Sequence, residues 1–418
     1  MRRTRFIHAA GFRLDSPYTG VRNPSAAVDE RLRTAPFEAL RNLQALCESQ
    51  APDFLLISGG VFDLADRSVH AQLAFRDGLA AIATSGVPIY LAHGPGDPAA
   101  AWLPTIDWPE GVHVMGGRPD WFAITKDDET IALVQGASHQ SSTIPGPAAA
   151  DFLGAPSSEV FTIGLVSQIP LVDKDGVDSR ESLPGLHYWA LGPESEGAVP
   201  SDPSRRMLAV GPAQGMSAAE TGAHGCYVVQ TDESGRAGPS FVALDSVRRE
   251  NVTLDVTDVS PEQLLTAANK AVTDALAGAD GRDLVAHLIL TGTTSESLVG
   301  DDQLLERLRD SVLFEHPWAW IERVEDLTDT AIPEVTGEEE YPESQSSAPD
   351  STPLISALQD RYESVINDGA LQELVGAYMP TQPDADDEEH DSENVARIAR
   401  DAYALALQHL TPPGDERP

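Results

Sequence analysis

The sequence predicts an α/β protein, a layered sandwich of sheets flanked by helices with smaller units after it. From Arg5 to about Asp245, strand-like and helix-like segments alternate along the chain. A shorter helix–strand–helix–strand series follows, and the chain then becomes acidic and rich in Pro and Ser. Strand–helix–strand order implies parallel pairing with right-handed crossovers. These changes of pattern predict a main domain over 1–250 and a small α+β module over 251–330.

The early elements follow from the spacing of apolar residues. "FIHAA" predicts a buried strand that breaks at Gly11, and Asp53–Gly60 and Val87–Gly94 predict two more strands. Between these two, the spacing predicts a helix that ends at Gly86, a residue suited to the left-handed backbone after a helix. Its expected apolar stripe is Leu73, Leu79 and Ile82, and an earlier helix carries the stripe Phe37, Leu40, Leu43 and Cys47.

The last part of the chain predicts tethered helices. Residues 331–352 are acidic and poor in aliphatic side chains, which is typical of a flexible linker. The segment 353–418 holds amphipathic stretches at 353–379 and 394–410, separated by a second acidic spacer. Such helices either fold back on their own domain or dock on a partner.

Composition restricts the function classes. The chain has 66 acidic and 28 basic residues, a formal net charge of −38. Proteins that grip nucleic acid by its phosphates usually present a basic face, and only Arg205–Arg206 and Arg248–Arg249 offer a local one here. DNA should therefore bind weakly or indirectly. The apolar runs are too short to cross a bilayer. The two cysteines show no pairing pattern, which fits a reducing cytoplasm.

Five glycine-marked segments recur at predicted strand ends: "HAAGFRLD", "SGGVFD", "HGPGDP", "GLVSQ" and "YWALGPES". Their order and flanks resemble the calcineurin-like metallophosphoesterases, in particular the DNA repair exonuclease branch of the SbcD and YhaO type. The resemblance covers roughly the first 330 residues. It implies a four-layer metallophosphoesterase-like β-sandwich over 1–250 and a capping domain over 251–330. It also implies hydrolase or nuclease ancestry and a partner that is a long coiled-coil ATPase of the SMC type.

This sequence differs from the family's pattern at the positions of the metal ligands. The family's segments carry D-x-H, G-D-x-x-D, G-N-H-D, a lone histidine and G-H-x-H, which hold two divalent ions that activate water and clamp phosphate. The corresponding positions in this chain are Gly11, Arg13, Gly60, Pro95, Gly96, Ser167, Pro193 and Ser195. Arginine at position 13 would oppose cation binding directly. We therefore expect a phosphoesterase fold without its dinuclear site and without a cofactor.

Several acids and histidines remain near the same segments. Asp97 precedes Pro98 and an alanine-rich run, which predicts a helix N-cap. Asp15 and Asp63 are expected to accept hydrogen bonds from loop amides. The residual candidates for functional side chains at these strand ends are Asp15, Asp63, Asp97 and His93.

Three functions stay open at this point. The first is a non-catalytic interaction or scaffold subunit that binds an SMC-like ATPase through the C-terminal helices. The second is a hydrolase that holds Mn or another divalent metal through substitute ligands such as Asp63, Asp97, His93 and His139. The third is a cleft that binds a phosphate-bearing ligand through Arg13 without cleaving it.

Overall fold

The structure is a computed structural model that describes residues 1–330 except 22–23, 66–67, 142–145, 173–175, 194–200, 204–205, 258, 295–301 and 317. The described residues belong to one compact unit, Met1–Pro333. The predicted linker at 331–352 and the predicted helices within 353–418 lie outside the described residues. No described helix combines the length and the apolar character that a bilayer span requires.

The elements alternate as the sequence predicts. The helices are α1 (Ala26–Gln50), α2 (Val69–Thr84), α3 (Ser179–Ser182), α4 (Pro261–Gly278) and α5 (Asp302–Glu315). The strands are β1 (Arg5–Ala9), β2 (Phe54–Ile57), β3 (Ile89–Leu91), β4 (Val112–Val114), β5 (Asp120–Lys126), β6 (Glu129–Ala137), β7 (Phe161–Val166), β8 (Tyr188–Leu191), β9 (Met207–Ala209), β10 (Gly225–Thr231), β11 (Ala237–Ala243), β12 (Val247–Asp255), β13 (Asp283–Thr291), β14 (Thr293–Thr294), β15 (Ala319–Asp326) and β16 (Asp329–Thr330).

Two sheets face each other across an apolar core. The first has the order β11-β10-β1-β2-β3-β4, with β1 to β4 parallel and β10 antiparallel to β1. The second has the order β5-β6-β7-β8-β9 and is parallel from β6 to β9. The core between them includes Phe6, Phe54, Phe161 and Tyr188, all buried. Helices α1 and α2 cover the outer face of the first sheet. The predicted α/β sandwich is confirmed.

Helix α1 begins well before the predicted apolar stripe, whose first residue is Phe37. The Ser25 side chain accepts a hydrogen bond from the Val28 amide, so the helix begins well before Pro36, which lies in its interior. Its first half buries Leu32 and Ala35 against Val285 and Trp320 of the predicted capping domain. That contact explains the earlier start, because an amphipathic segment is helical where tertiary packing covers its apolar face.

Helix α2 buries two of the three residues of its predicted apolar stripe, with Phe75 in place of Leu73. Leu73 is 38% exposed, while Phe75, Leu79 and Ile82 are buried against the first sheet. Residues 75, 79 and 82 follow the i, i+4, i+7 spacing of one helical face, and residue 73 does not. The helix ends as predicted, with Gly86 at a φ of 88°.

The residues predicted as a capping domain form a three-stranded parallel sheet, β12-β13-β15, packed on α4 and α5. We call this sheet the capping sheet. Buried ion pairs fix it in place. Arg249 pairs with Glu322 and donates to the Thr19 carbonyl at 3.2 Å. Arg248 and Arg282 both reach the buried Asp245 carboxylate, at 3.0 and 3.1 Å. Arg248 and Arg249 are therefore interior residues and do not form a basic patch at the surface.

Candidate functional site

The strand ends that the sequence singles out converge at the carboxyl edge of the two sheets. The Gly11 amide donates to the Gly59 carbonyl at 2.9 Å, and the Gly192 amide donates to the Ser167 carbonyl at 2.7 Å. A side chain added at Gly59 would meet both Ser167 Oγ and the Gly94 backbone nitrogen within 2.8 Å. Loops at this edge line the crevice of α/β folds. The segments therefore converge at one place in the fold, which we call the strand-end cleft.

Backbone fills the centre of the strand-end cleft. A Cβ built on Gly60 would lie 2.9 Å from Gly11 Cα, and one built on Gly11 would lie 2.8 Å from Pro212 Cα and 3.0 Å from Pro193 Cγ. Both glycines have positive φ, at 65° for Gly11 and 73° for Gly60, where L side chains are strained. No side chain fits at either position without movement of the backbone.

Asp97 lies at the bottom of this cleft. The side chain is fully buried, and its carboxylate accepts hydrogen bonds from the amides of Gly60 at 2.9 Å, Gly94 at 2.9 Å and Val61 at 3.2 Å. One carboxylate thereby ties the loop after β2 to the loop after β3. The N-cap prediction is wrong, because the alanine-rich run forms a short 3-10 helix, Ala99–Ala101, whose preceding residue is Pro98 and which has no side-chain cap. The Asp97 carboxylate binds the amides of Gly60, Val61 and Gly94 instead of the first amides of this short helix.

Two buried histidines lie beside Asp97. His93 Nδ1 is 4.0 Å from Asp97 Oδ2. The centre of the His93 ring is 5.1 Å from the ring centre of Trp102. The backbone amide of His139 donates to the His93 carbonyl at 3.0 Å. Among the described residues, neither His93 Nδ1 nor His139 Nδ1 has a hydrogen-bond partner. Burial is the main cause that lowers the pKa of His139 below its ordinary value, so this ring is neutral at pH 7.

The other residual candidates lie outside this group. Asp63 is exposed and accepts from the Ala65 amide at 3.0 Å, as predicted. Asp15 instead accepts from two side chains, the Ser68 hydroxyl and, at 3.1 Å, His70 Nδ1. The loop-amide prediction for Asp15 is wrong, because the start of α2 brings polar side chains within reach.

Arg13 is engaged by another acid. Its guanidinium donates to Glu220 at 2.8 Å and to the Gln214 carbonyl at 3.1 Å. The Glu220 carboxylate also accepts from the Met216 amide at 2.7 Å. The Glu220 carboxylate offsets the positive charge of the guanidinium, which lies against the loop before β10. A phosphate ligand at Arg13 would have to share this guanidinium with Glu220.

The remaining ligand positions add little to the site. Pro95 is exposed, and a Cβ on Gly96 would meet no atom nearer than 3.6 Å. Ser167 is buried between the strand ends, and Ser195 lies outside the described residues.

The donors present do not fit a dinuclear metal centre. Such centres need several carboxylate and imidazole ligands around each ion. In the described part of the chain, no group of three or more His, Cys, Asp or Glu side chains is placed to hold a metal ion. Both oxygens of Asp97 already accept backbone hydrogen bonds. The substitute set of Asp63, Asp97, His93 and His139 is therefore not assembled in this structure.

Sequence reasoning located the cleft but missed the role of Asp97. The local signal was present, because an aspartate three residues after Gly94 can accept from the amide at that position. The amides of Gly60 and Val61 come from a different loop, and only the fold brings them to the same carboxylate.

Comparison with known proteins agrees with this architecture. Residues 250–329 match the family model described as the middle domain of metallophosphoesterase YhaO. The chain is 28% identical over 340 residues to the uncharacterized metallophosphoesterase YhaO of Bacillus subtilis strain 168. The aligned region covers 78% of this chain and 82% of that protein. Both matches are to metallophosphoesterases of the YhaO type, and they show what this chain is similar to.

Proposed function

We propose that the chain is a non-catalytic member of the metallophosphoesterase family that acts as an interaction or scaffold subunit. The observation that carries the proposal is the contact between Gly11 and Gly60, whose backbones meet at the centre of the strand-end cleft. Activation of water by two ions and neutralisation of phosphate charge both require ligands that hold the ions. Two glycines in van der Waals contact offer neither donors nor room.

The test measures metal content and hydrolysis together. The full-length protein, purified without chelator, is analysed for Mn, Zn and Fe, and is then assayed with bis-p-nitrophenyl phosphate and with linear duplex DNA in the presence of Mn. We expect less than one equivalent of metal and no hydrolysis above background. Hydrolysis that EDTA removes and Mn restores would overturn the proposal and favour a phosphoesterase with substitute ligands.

The variant Gly60→Asp extends the same test. It restores one acidic ligand, but its Cβ would lie 2.9 Å from Gly11 Cα at a positive φ. We expect no gain of activity and a lower thermal midpoint. The matched control is Gly86→Asp, which also has positive φ but where an added Cβ meets nothing within 4 Å. A larger loss for the control than for Gly60→Asp would contradict the close-packed cleft.

A partner is part of this proposal. We infer an SMC-like coiled-coil ATPase that binds through the segment 331–418, a region the sequence marks as an acidic linker with amphipathic helices. The net charge of −38 disfavours direct DNA binding and makes the partner the subunit that contacts DNA. Affinity purification from the native host should recover the ATPase with the full chain and lose it when 331–418 is deleted. Retention after the deletion would exclude these helices as the contact.

A further inference from the structure

A second concavity lies at the opposite edge of the sheets, where β8 begins and where β10 turns into β11. Its volume is about 500 Å³, and its lining includes His187, Tyr188, Arg206, Leu208, Arg236 and Pro239. We call it the amino-edge pocket. Its size lies within the range of sites for small ligands. Because the strand-end cleft lies beyond the other end of β8, the two are separate sites.

The charge of the amino-edge pocket is opposite to that of the chain. Two arginines line it, and none of the described lining residues is an Asp or Glu. Neither Arg206 nor Arg236 forms an ion pair with another described residue, whereas Arg13 and Arg248 pair with Glu220 and Asp245. A hydrogen bond from the Ser234 hydroxyl is the main cause that lowers the pKa of the Asp232 carboxyl, and the charge of Arg236 contributes to it, but Asp232 is not among the described lining residues. In a protein with a net charge of −38, this pocket therefore carries two guanidinium groups that are not held in ion pairs by described residues.

The backbone fixes one arginine in place. Arg206 has a φ of 61°, which is uncommon for a residue other than glycine. Its carbonyl accepts the Trp189 amide at 2.8 Å, which anchors the turn to β8. Backbone strain of this kind persists where the surrounding structure holds the residue in position.

His187 adds a third donor. The Thr162 amide donates to His187 Nδ1 at 3.1 Å, so the neutral ring carries its proton on Nε2. None of the described residues accepts a hydrogen bond from that Nε2. The ring lies beside the turn of Arg236, because a Cβ built on Gly235 would be 2.8 Å from His187 Cδ2.

The rest of the lining is apolar. Tyr188 is buried, and Leu208, Pro239 and Ala237 complete this side of the pocket. Two guanidinium groups, an imidazole N–H and an apolar wall match an anion attached to a compact hydrophobic group. Guanidinium groups suit phosphate oxygens, since their N–H groups can donate in parallel pairs.

We propose that the amino-edge pocket binds a phosphomonoester with a compact apolar or aromatic group, and binds it without hydrolysis. The phosphate pairs with Arg206 and Arg236, and the organic group lies against Leu208 and Pro239. Nothing in this assignment depends on the state of the strand-end cleft, so either proposal can fail alone.

The experiment uses phenyl phosphate with the full-length protein and isothermal titration calorimetry. We expect saturable binding of one equivalent that weakens as NaCl is raised. Arg206→Gln and Arg236→Gln should each weaken binding by about ten-fold or more, the effect of losing one charge-assisted hydrogen bond. Arg323→Gln is the matched control, an arginine whose side chain is 60% exposed in the capping sheet, and it should leave binding unchanged. Each variant should keep its ligand-free thermal midpoint.

Two further probes separate the halves of the ligand. Phenol should not bind measurably, and inorganic phosphate should bind more weakly than phenyl phosphate. Equal binding of phenol would overturn the role of the arginines, and equal binding of inorganic phosphate would overturn the apolar wall. Absence of saturable binding at millimolar phenyl phosphate, or an equal loss in Arg323→Gln, would overturn the site.

Discussion

At the scale of single residues, the strand-end cleft depends on one buried carboxylate. Asp97 accepts three backbone amides from two loops and is fully buried. A buried carboxylate is costly unless it is hydrogen-bonded, and buried amides are costly when they lose their acceptor. Asp97 thus connects the loop after β2 to the loop after β3.

Asp97→Asn tests this role. The new amide group would place N–H donors opposite at least one backbone N–H, since both Asp97 oxygens accept in the native protein. We expect a loss of about 2–4 kcal/mol in the free energy of unfolding, measured by urea denaturation. The control Asp63→Asn affects an exposed side chain with one amide partner and should cost about 1 kcal/mol or less. Equal effects of the two variants would contradict the assigned role.

His8 makes the stability depend on pH. Its ring is fully buried between Tyr188 Oη and Ser58 Oγ, each at 2.9 Å. Burial lowers the pKa of His8 to about 3. Between pH 6.5 and this value the unfolded chain binds a proton that the folded chain does not, so stability is full above pH 6.5 and falls as the pH drops.

This linkage predicts a loss of about 2 kcal/mol between pH 7 and pH 5 from His8 alone. Urea denaturation across that range should show a steeper slope in the native protein than in His8→Gln. His70→Gln, whose native side chain is 72% exposed, should keep the native slope. Parallel curves for the native protein and His8→Gln would show that this histidine titrates normally.

At the scale of elements, the capping sheet is held by charges rather than by apolar contacts alone. The guanidinium of Arg249, a β12 residue, pairs with Glu322 of β15 and lies 5.8 Å from the ring centre of Tyr18. Both partners are nearly inaccessible to solvent. Removal of one member of such a pair leaves a buried charge without compensation.

Glu322→Gln should therefore lower the free energy of unfolding by about 3 kcal/mol. Glu325→Gln is the control on the same strand, because that side chain is 39% exposed and pairs with Arg323 at the surface; it should cost less than about 1 kcal/mol. Urea denaturation of both variants checks the difference. A loss below that of the control would show that the buried pair contributes no net stability.

At the scale of the whole molecule, the net charge of −38 predicts self-repulsion that salt relieves. We expect the thermal midpoint to rise by a few degrees between 50 mM and 1 M NaCl. Choline chloride should act in the same way, which separates screening from specific binding of sodium. A midpoint that is flat or falls in both salts would contradict the prediction.

The sequence by itself determined the alternation of elements, the position of the cleft and the absence of acidic side chains at Gly11 and Gly60. These are local properties, since the spacing of apolar residues and the residue type at each position can be read directly from the sequence. Only the tertiary structure decided that Asp97 binds amides of two loops, that Arg13 and Arg249 are paired, and that Arg206 and Arg236 line one pocket. Each of these depends on residues distant in sequence. The fold brings such groups together, and the spacing of residues along the chain does not predict these contacts.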